Sequence, residues 1–258
     1  LSHDVSHRTP WRPQRRARPH LHPGPGILRH VGTRQHCRRR QIAASCPDKP
    51  IASTTAIDVS GSFQSDTVKT TTMDAVSAEV RRVAICGGHL RVFAFASSTG
   101  ATAMLYDGDL QVDAPTENAR LRKAGKLADE TTAVVSEQYD AALTGVTGNG
   151  SDPLGMLNLL AQSNALYPEY TLANQLVTDG VITIGIDPTG VPDPEAARVL
   201  ADQQAVPSLA GADVSIVGIG KQGTGELPSA VIANLTAFWE QVCINTGAAA
   251  CHVSTEGL

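Results

Sequence analysis

From residue 53 to residue 243, short β-branched runs alternate with longer segments whose apolar residues recur every three or four positions. This alternation constrains the fold more than any other feature. Strands separated by helical crossovers build a largely parallel sheet with helices on both faces. The run STTAIDVS (53–60) reads as a strand ending in a polar turn. Val68, Met73, Val76, Val80, Val83 and Ala84 then follow helical steps, and Gly87-Gly88 stops them. HLRVFAFASS (89–98) and ATAMLYDGDLQ (101–111) alternate around Thr99-Gly100, which predicts a β-hairpin. A helix is expected from Thr116 to about Thr144, and TGNGSDP (147–153) interrupts it before Pro153 opens the next. TLANQLVTDG (171–180) and ADVSIVGIG (212–220) read as strands. DPEAARVLADQQA (193–205) and LPSAVIANLTAFWEQVC (227–243) read as helices. There are no internal repeats.

Charge divides the chain in two. Residues 1–50 hold 11 Lys and Arg against 2 Asp and Glu, and the chain totals of 21 and 25 leave 10 against 23 for residues 51–258. A head of +9 therefore precedes a body of −13. The head is rich in Pro, Arg and His and has no apolar period, so it is expected to be disordered. A basic arm for nucleic acid or an anionic membrane is the functional alternative to a mis-started or signal region. The acidic body argues against nucleic acid as its partner and suits a divalent cation. No apolar run is long enough to span a bilayer. Ala44-Ser45-Cys46 has the small-small-Cys form of a lipoprotein cleavage site, but the charged RQHCRRRQ stands where an apolar region is needed. Membrane attachment is therefore expected only if Cys46 carries a lipid.

Three polar loops carry the chemistry. Asp58-Val59-Ser60-Gly61-Ser62 and Thr178-Asp179-Gly180 each end a strand, and Gly150-Ser151-Asp152 opens a helix. In an open α/β sheet, loops at the carboxyl ends of strands meet at the point where strand order reverses. Carboxylates and hydroxyls are hard oxygen donors that suit Mg²⁺, Mn²⁺ or Ca²⁺ better than Zn²⁺. Each residue also has a plainer reading. Asp58 can cap its own turn. Ser151 and Asp152 can cap the helix at Pro153, with Asp152 the better cap. Asp66 reads as a helix cap or a solvated acid.

Asp58-x-Ser60-x-Ser62 resembles the DxSxS signature of von Willebrand factor A-type domains and their metal-ion-dependent adhesion site. Gly150-Ser151-Asp152 resembles that family's second loop, with Ser151 where Thr is usual. Val177-Thr178-Asp179-Gly180 resembles its third. The resemblance covers residues 51–245 or so. It implies a Rossmann-like, mostly parallel sheet with one antiparallel edge strand and helices on both faces, formed by residues 51–258 as one domain. It also implies a cation, Mg²⁺ or alternatively Mn²⁺ or Ca²⁺, held by Asp58, Ser60, Ser62, Ser151 and Asp179. The partner would be a protein whose Asp or Glu completes the coordination. The domain would then be a binding module and not an enzyme. A metal-dependent hydrolase or phosphatase on a similar sheet is the alternative. Ser60, standing where a dehalogenase-type phosphatase needs a second Asp, and the lack of a visible general base count against it.

The remaining motifs carry less. GKQGTGE (220–226) lacks the Lys-Ser/Thr ending of a phosphate loop. His89 and His252 have no partner at metal-ligand spacing and read as structural. Cys86 reads as a buried small hydrophobe. Cys243 and Cys251 flank a short loop that a disulfide can close in an exported protein, with a reduced pair as the alternative. An exported or cell-surface lipoprotein is favoured over a cytoplasmic protein.

Overall fold

The computed structural model describes residues 25–63, 65–98, 100–146 and 150–256. The chain divides into two units after Cys37. Helix α1, Pro25–Ala44, runs across the boundary between them. The sequence suggested no regular structure here, and that expectation fails for Pro25–Ala44. Pro25 suits the first helical position, and Arg, Gln and Ala in the second half have high intrinsic helix propensity without any apolar stripe. The disorder expected for residues 1–24 lies outside the described residues.

The body is a six-stranded sheet of order β3-β2-β1-β4-β5-β8. Its strands are β1 (Ile51–Asp58), β2 (Gly88–Phe95), β3 (Thr102–Leu110), β4 (Thr171–Val177), β5 (Ala212–Val217) and β8 (Ala250–Ser254). Every neighbouring pair is parallel except β2 and β3, which form the expected antiparallel hairpin at one edge. Strand β8 was not legible as a strand, because ACHVS is short, polar at its centre and mostly exposed. A small separate hairpin pairs β6 (Lys221–Gln222) with β7 (Gly225–Glu226), in the segment that superficially suggested a phosphate loop.

Side-chain oxygens set most helix starts. Ser65, not Asp66, caps α2 (Asp66–Cys86), and Thr116 caps the long α3 (Glu117–Gly145). Asp152 caps α4 (Pro153–Asn164), and Asp193 caps α5 (Pro194–Asp202), each with a Pro in the first turn. The last helix is α6 (Ser229–Asn245).

Helices cover the sheet unequally. On one face α2 and α3 bury Val76, Val80, Val83, Val135 and Tyr139 against Ile57, Leu90 and Val92. On the other, α4, α5 and α6 bury Met156, Leu160, Ala197, Phe238 and Trp239 against Ala56, Leu176, Val214 and Ile216. The central strand β1 is wholly buried yet carries Ser53, Thr54 and Thr55. Each of these hydroxyls finds a partner, in Glu79, Ser163 and Gln175 respectively.

Two disulfides tie the body together. Cys243–Cys251 joins α6 to β8, as the sequence allowed. Cys46–Cys86 joins the segment after α1 to the end of α2. Two readings are thereby corrected. Cys86 is a bridged cysteine and not a free buried hydrophobe. The sulfur of Cys46 is spent in the same bridge, so it has no valence left for a lipid thioether. Pairing across a sequence separation of 40 is decided by tertiary structure, which sequence spacing does not reveal. Among the described residues no helix is long and apolar enough to cross a membrane.

Candidate metal centre

From β1 the chain builds one side of the sheet with β2 and β3 and the other with β4, β5 and β8. The reversal lies between β1 and β4, which pair in parallel register. A crevice is therefore expected at their carboxyl ends. Asp58 is the last residue of β1, and Thr178-Asp179 follows β4 directly. The loop carrying Ser151 reaches the same edge, because Asp152 N donates to Ala96 O just past β2 at 3.0 Å. The five residues singled out in the sequence thus meet in one place, from three separate segments.

Asp58 is fully buried and both of its oxygens are engaged. Its Oδ1 accepts from Ser60 N at 2.8 Å. Its Oδ2 accepts from Ser151 Oγ at 2.7 Å and from Thr178 Oγ1 at 2.8 Å. Ser62 Oγ lies 3.4 Å from Ser60 Oγ and donates to Asp179 Oδ2 at 2.9 Å. Asp179 Oδ1 accepts from Val181 N at 3.0 Å, and Oδ2 also accepts from Gln222 Nε2 at 3.1 Å. The two carboxylates are therefore linked through a chain of hydroxyls.

The loop after β4 holds this geometry because Gly180 follows Asp179. Gly180 sits at φ +79°, and an added Cβ would lie 2.7 Å from Ile219 Cδ1 and 2.9 Å from Trp239 Nε1. Trp239 Nε1 donates to Gly180 O at 2.9 Å, anchoring the turn to α6. Asp152 turns away from the cluster and caps α4 through Gly155 N at 2.9 Å, while Ser151 serves Asp58. Cap and site roles thus divide between adjacent residues.

Burial raises the pKa of Asp58, against the lowering effect of its hydrogen bonds from Ser151, Ser60 and Thr178. Burial, and then the charge of Asp58, push Asp179 up to about 6. Burial and the same charge push the Tyr139 hydroxyl up to about 12. The groups acting on the two carboxylates are hydroxyls, amides and each other, with no Lys, Arg or His among them. Two buried acids without a positive partner are costly. A hard divalent cation fits such an all-oxygen set. Among the described residues no group of three or more His, Cys, Asp and Glu is placed to hold a metal, so a cation here would have to rely on hydroxyls as well as carboxylates.

Sequence reasoning missed Thr178 as a donor to Asp58 and Gln222 as a donor to Asp179. Thr178 adjoins a recognised acid and was legible from the Thr-Asp-Gly triplet. Gln222 lies 43 positions from Asp179, in the short strand β6, and nothing in GKQGTGE marks it as a donor to that acid. The two body histidines are not at the site. His89 stacks on Tyr167 and bonds Asp107 and Asp109 on β3, and His252 lies on β8.

No family model matches the chain, and no curated protein matches its sequence. Among solved structures, it is similar to the conserved hypothetical protein BatB from Bacteroides thetaiotaomicron, at 13% identity and TM-score 0.42, over 80% of this chain and 90% of that one. It is also similar to the open conformation of the pilus adhesin SpaC from Lactobacillus rhamnosus GG, at 12% identity and TM-score 0.41, over 75% of this chain and 27% of the adhesin. A third is proximal thread matrix protein 1 from the mussel byssus, at 14% identity and TM-score 0.43, over 78% of this chain and 47% of that protein.

Proposed function

We propose that the body is a von Willebrand factor A-type domain that binds a protein partner through a divalent cation. Asp58, Ser60, Ser62, Ser151 and Asp179 would hold the cation, Mg²⁺ in the first instance, with Mn²⁺ or Ca²⁺ as substitutes. An Asp or Glu carboxylate on the partner would complete its coordination. One observation carries the reading: two buried carboxylates and three hydroxyls from three segments converge at the switch point with no basic residue among them. Thr178 and Gln222 would orient the two carboxylates. A cation so held would supply a site for an anionic oxygen from outside, which suits recognition. Two disulfides support a protein that matures in an oxidising, extracytoplasmic compartment.

Calorimetric titration of Mg²⁺ and Mn²⁺ into the full chain, beside Asp58→Ala, tests the site. Saturable binding that disappears in the variant is the expected result. Equal binding by both proteins would overturn the ligand assignment. A pull-down with immobilised wild type, with Mg²⁺ and with EDTA, then tests the partner. Retention that survives EDTA would remove the cation from recognition.

A further inference from the structure

A cavity of about 210 Å³ lies between the first half of α2, the ends of β4 and β5, and the β6–β7 hairpin. Phe63, Val68, Val177 and Val217 give it apolar walls. Thr72 also lines it, 1% exposed, and its Oγ1 has no hydrogen-bond partner. The preceding residues show the usual alternative: Thr70 Oγ1 donates back to Asp66 O at 2.8 Å and Thr71 Oγ1 to Thr67 O at 3.1 Å. Thr72 makes no such bond and leaves a buried donor in the cavity wall, a costly arrangement unless something else satisfies it. Lys221, on the hairpin, lines the same cavity and forms no ion pair among the described residues. The cavity is therefore apolar in its body, carries one unsatisfied buried hydroxyl, and has the half-buried Lys221 and its register partner Glu226 on the hairpin side.

The hairpin that roofs the cavity is tied to the candidate metal centre. Gln222 lines the cavity and donates through Nε2 to Asp179 Oδ2 at 3.1 Å. Gly223 N donates to Ser62 O at 2.8 Å. A ligand that lifts or reseats the hairpin must alter both bonds.

We propose that this cavity binds a compact monocarboxylic acid with an aliphatic or aromatic tail, and that its occupancy is relayed to Asp179 through Gln222. The tail packs against the valines and Phe63. The carboxylate accepts from Thr72 Oγ1 and the Lys221 ammonium. At about 30 Å³ per water the cavity has room for about seven waters, which matches a ligand of roughly ten non-hydrogen atoms. Octanoate is a probe of that size and chemistry, and 1-octanol is its uncharged counterpart.

The experiment is an NMR titration of the full chain with octanoate. It follows the methyls of Val68, Val177 and Val217 and the side-chain amide of Gln222. Saturable shifts at all four, with one common midpoint, are expected. Ala75 also lines the cavity at 1% exposure, so Ala75→Leu should fill it and weaken octanoate at least tenfold. Lys221→Ala, on the exposed hairpin side of the cavity, should weaken octanoate severalfold and leave 1-octanol unchanged, and it keeps the test alive if Ala75→Leu does not fold. Shifts that never saturate, or octanoate binding that Lys221→Ala leaves intact, would overturn the site. Saturating methyl shifts with an unmoved Gln222 amide would overturn the relay.

Discussion

The two faces of this sheet are finished differently. Over β4, β5 and β8, one face is sealed by α4, α5 and α6, whose Trp239, Phe238 and Met156 are completely buried. Across the same strands the opposite face is only partly roofed. Ala173, Gln175, Asp213 and Ser215 there line a cavity of about 360 Å³ with Glu79 and Arg82 of α2 and with His252 of β8. Adjacent residues of one strand show the contrast: Ile216 is fully buried among apolar side chains, while Ser215 has a buried Oγ with no partner. One face holds the fold, and the other leaves donors and space for contact. The candidate metal centre sits at the edge both faces share.

The sealed face should give the largest effect. Trp239→Ala removes the largest fully buried side chain and the bond that anchors Gly180. It should cost about 3–5 kcal/mol in denaturant unfolding. A cost below about 1 kcal/mol would mean that α6 is not an essential cover.

The shared edge should respond to pH. Asp58 and Asp179 both have folded-state pKa values above the usual carboxylate range, Asp179 at about 6. The folded protein then binds more protons than the unfolded chain. Without a cation, stability should fall as pH rises from about 4 through about 6, by up to about 3 kcal/mol for Asp179. Thermal melts in EDTA across that range check the sign. Saturating Mg²⁺ should cancel the loss. Asp58→Asn should reduce the pH slope and abolish the response to Mg²⁺, and a variant that still gains stability from Mg²⁺ would place the cation elsewhere.

The open face should give the smallest effect, with the opposite sign. Ser215→Val removes an unpaired buried hydroxyl and adds a β-branched residue to a strand. It should leave stability unchanged or raise it by up to about 1 kcal/mol in the same unfolding assay. A loss as large as that of a core truncation would show that Ser215 has a bound partner in solution.

Much of this was legible because it depends on local pattern. Asp58 and Asp179 stand where apolar runs end in oxygen-bearing side chains, which marks strand ends in a parallel sheet. The hairpin of β2 and β3 and the caps at Thr116, Asp152 and Asp193 follow from neighbouring residues. What stayed hidden depends on contacts between distant segments. Gln222 reaches Asp179 only after the β6–β7 hairpin folds over the loop at Ser62. Strand β8 is strand because β5 offers it an edge, not because Ala-Cys-His-Val-Ser favours extension. Helix α1 has no apolar stripe, and its packing comes late, where Ile42 and Ala43 meet Ile85, Leu121 and Ala124, so a search for apolar periodicity passes over it.

The Cys46–Cys86 bridge gives the candidate centre an unusual form of insurance. Together with the backbone it closes a covalent ring that contains all of β1, the Asp58–Ser62 loop and α2. A protease that nicks the ring once, even at the exposed Gly61-Ser62 step, releases no fragment while the bridge is oxidised. Both cut ends stay tethered beside the partners that β1 and α2 already hold. In a protease-rich surrounding, a cut domain would remain a single molecule with its first site loop still in reach. Only reduction followed by the same cut would let the two pieces part.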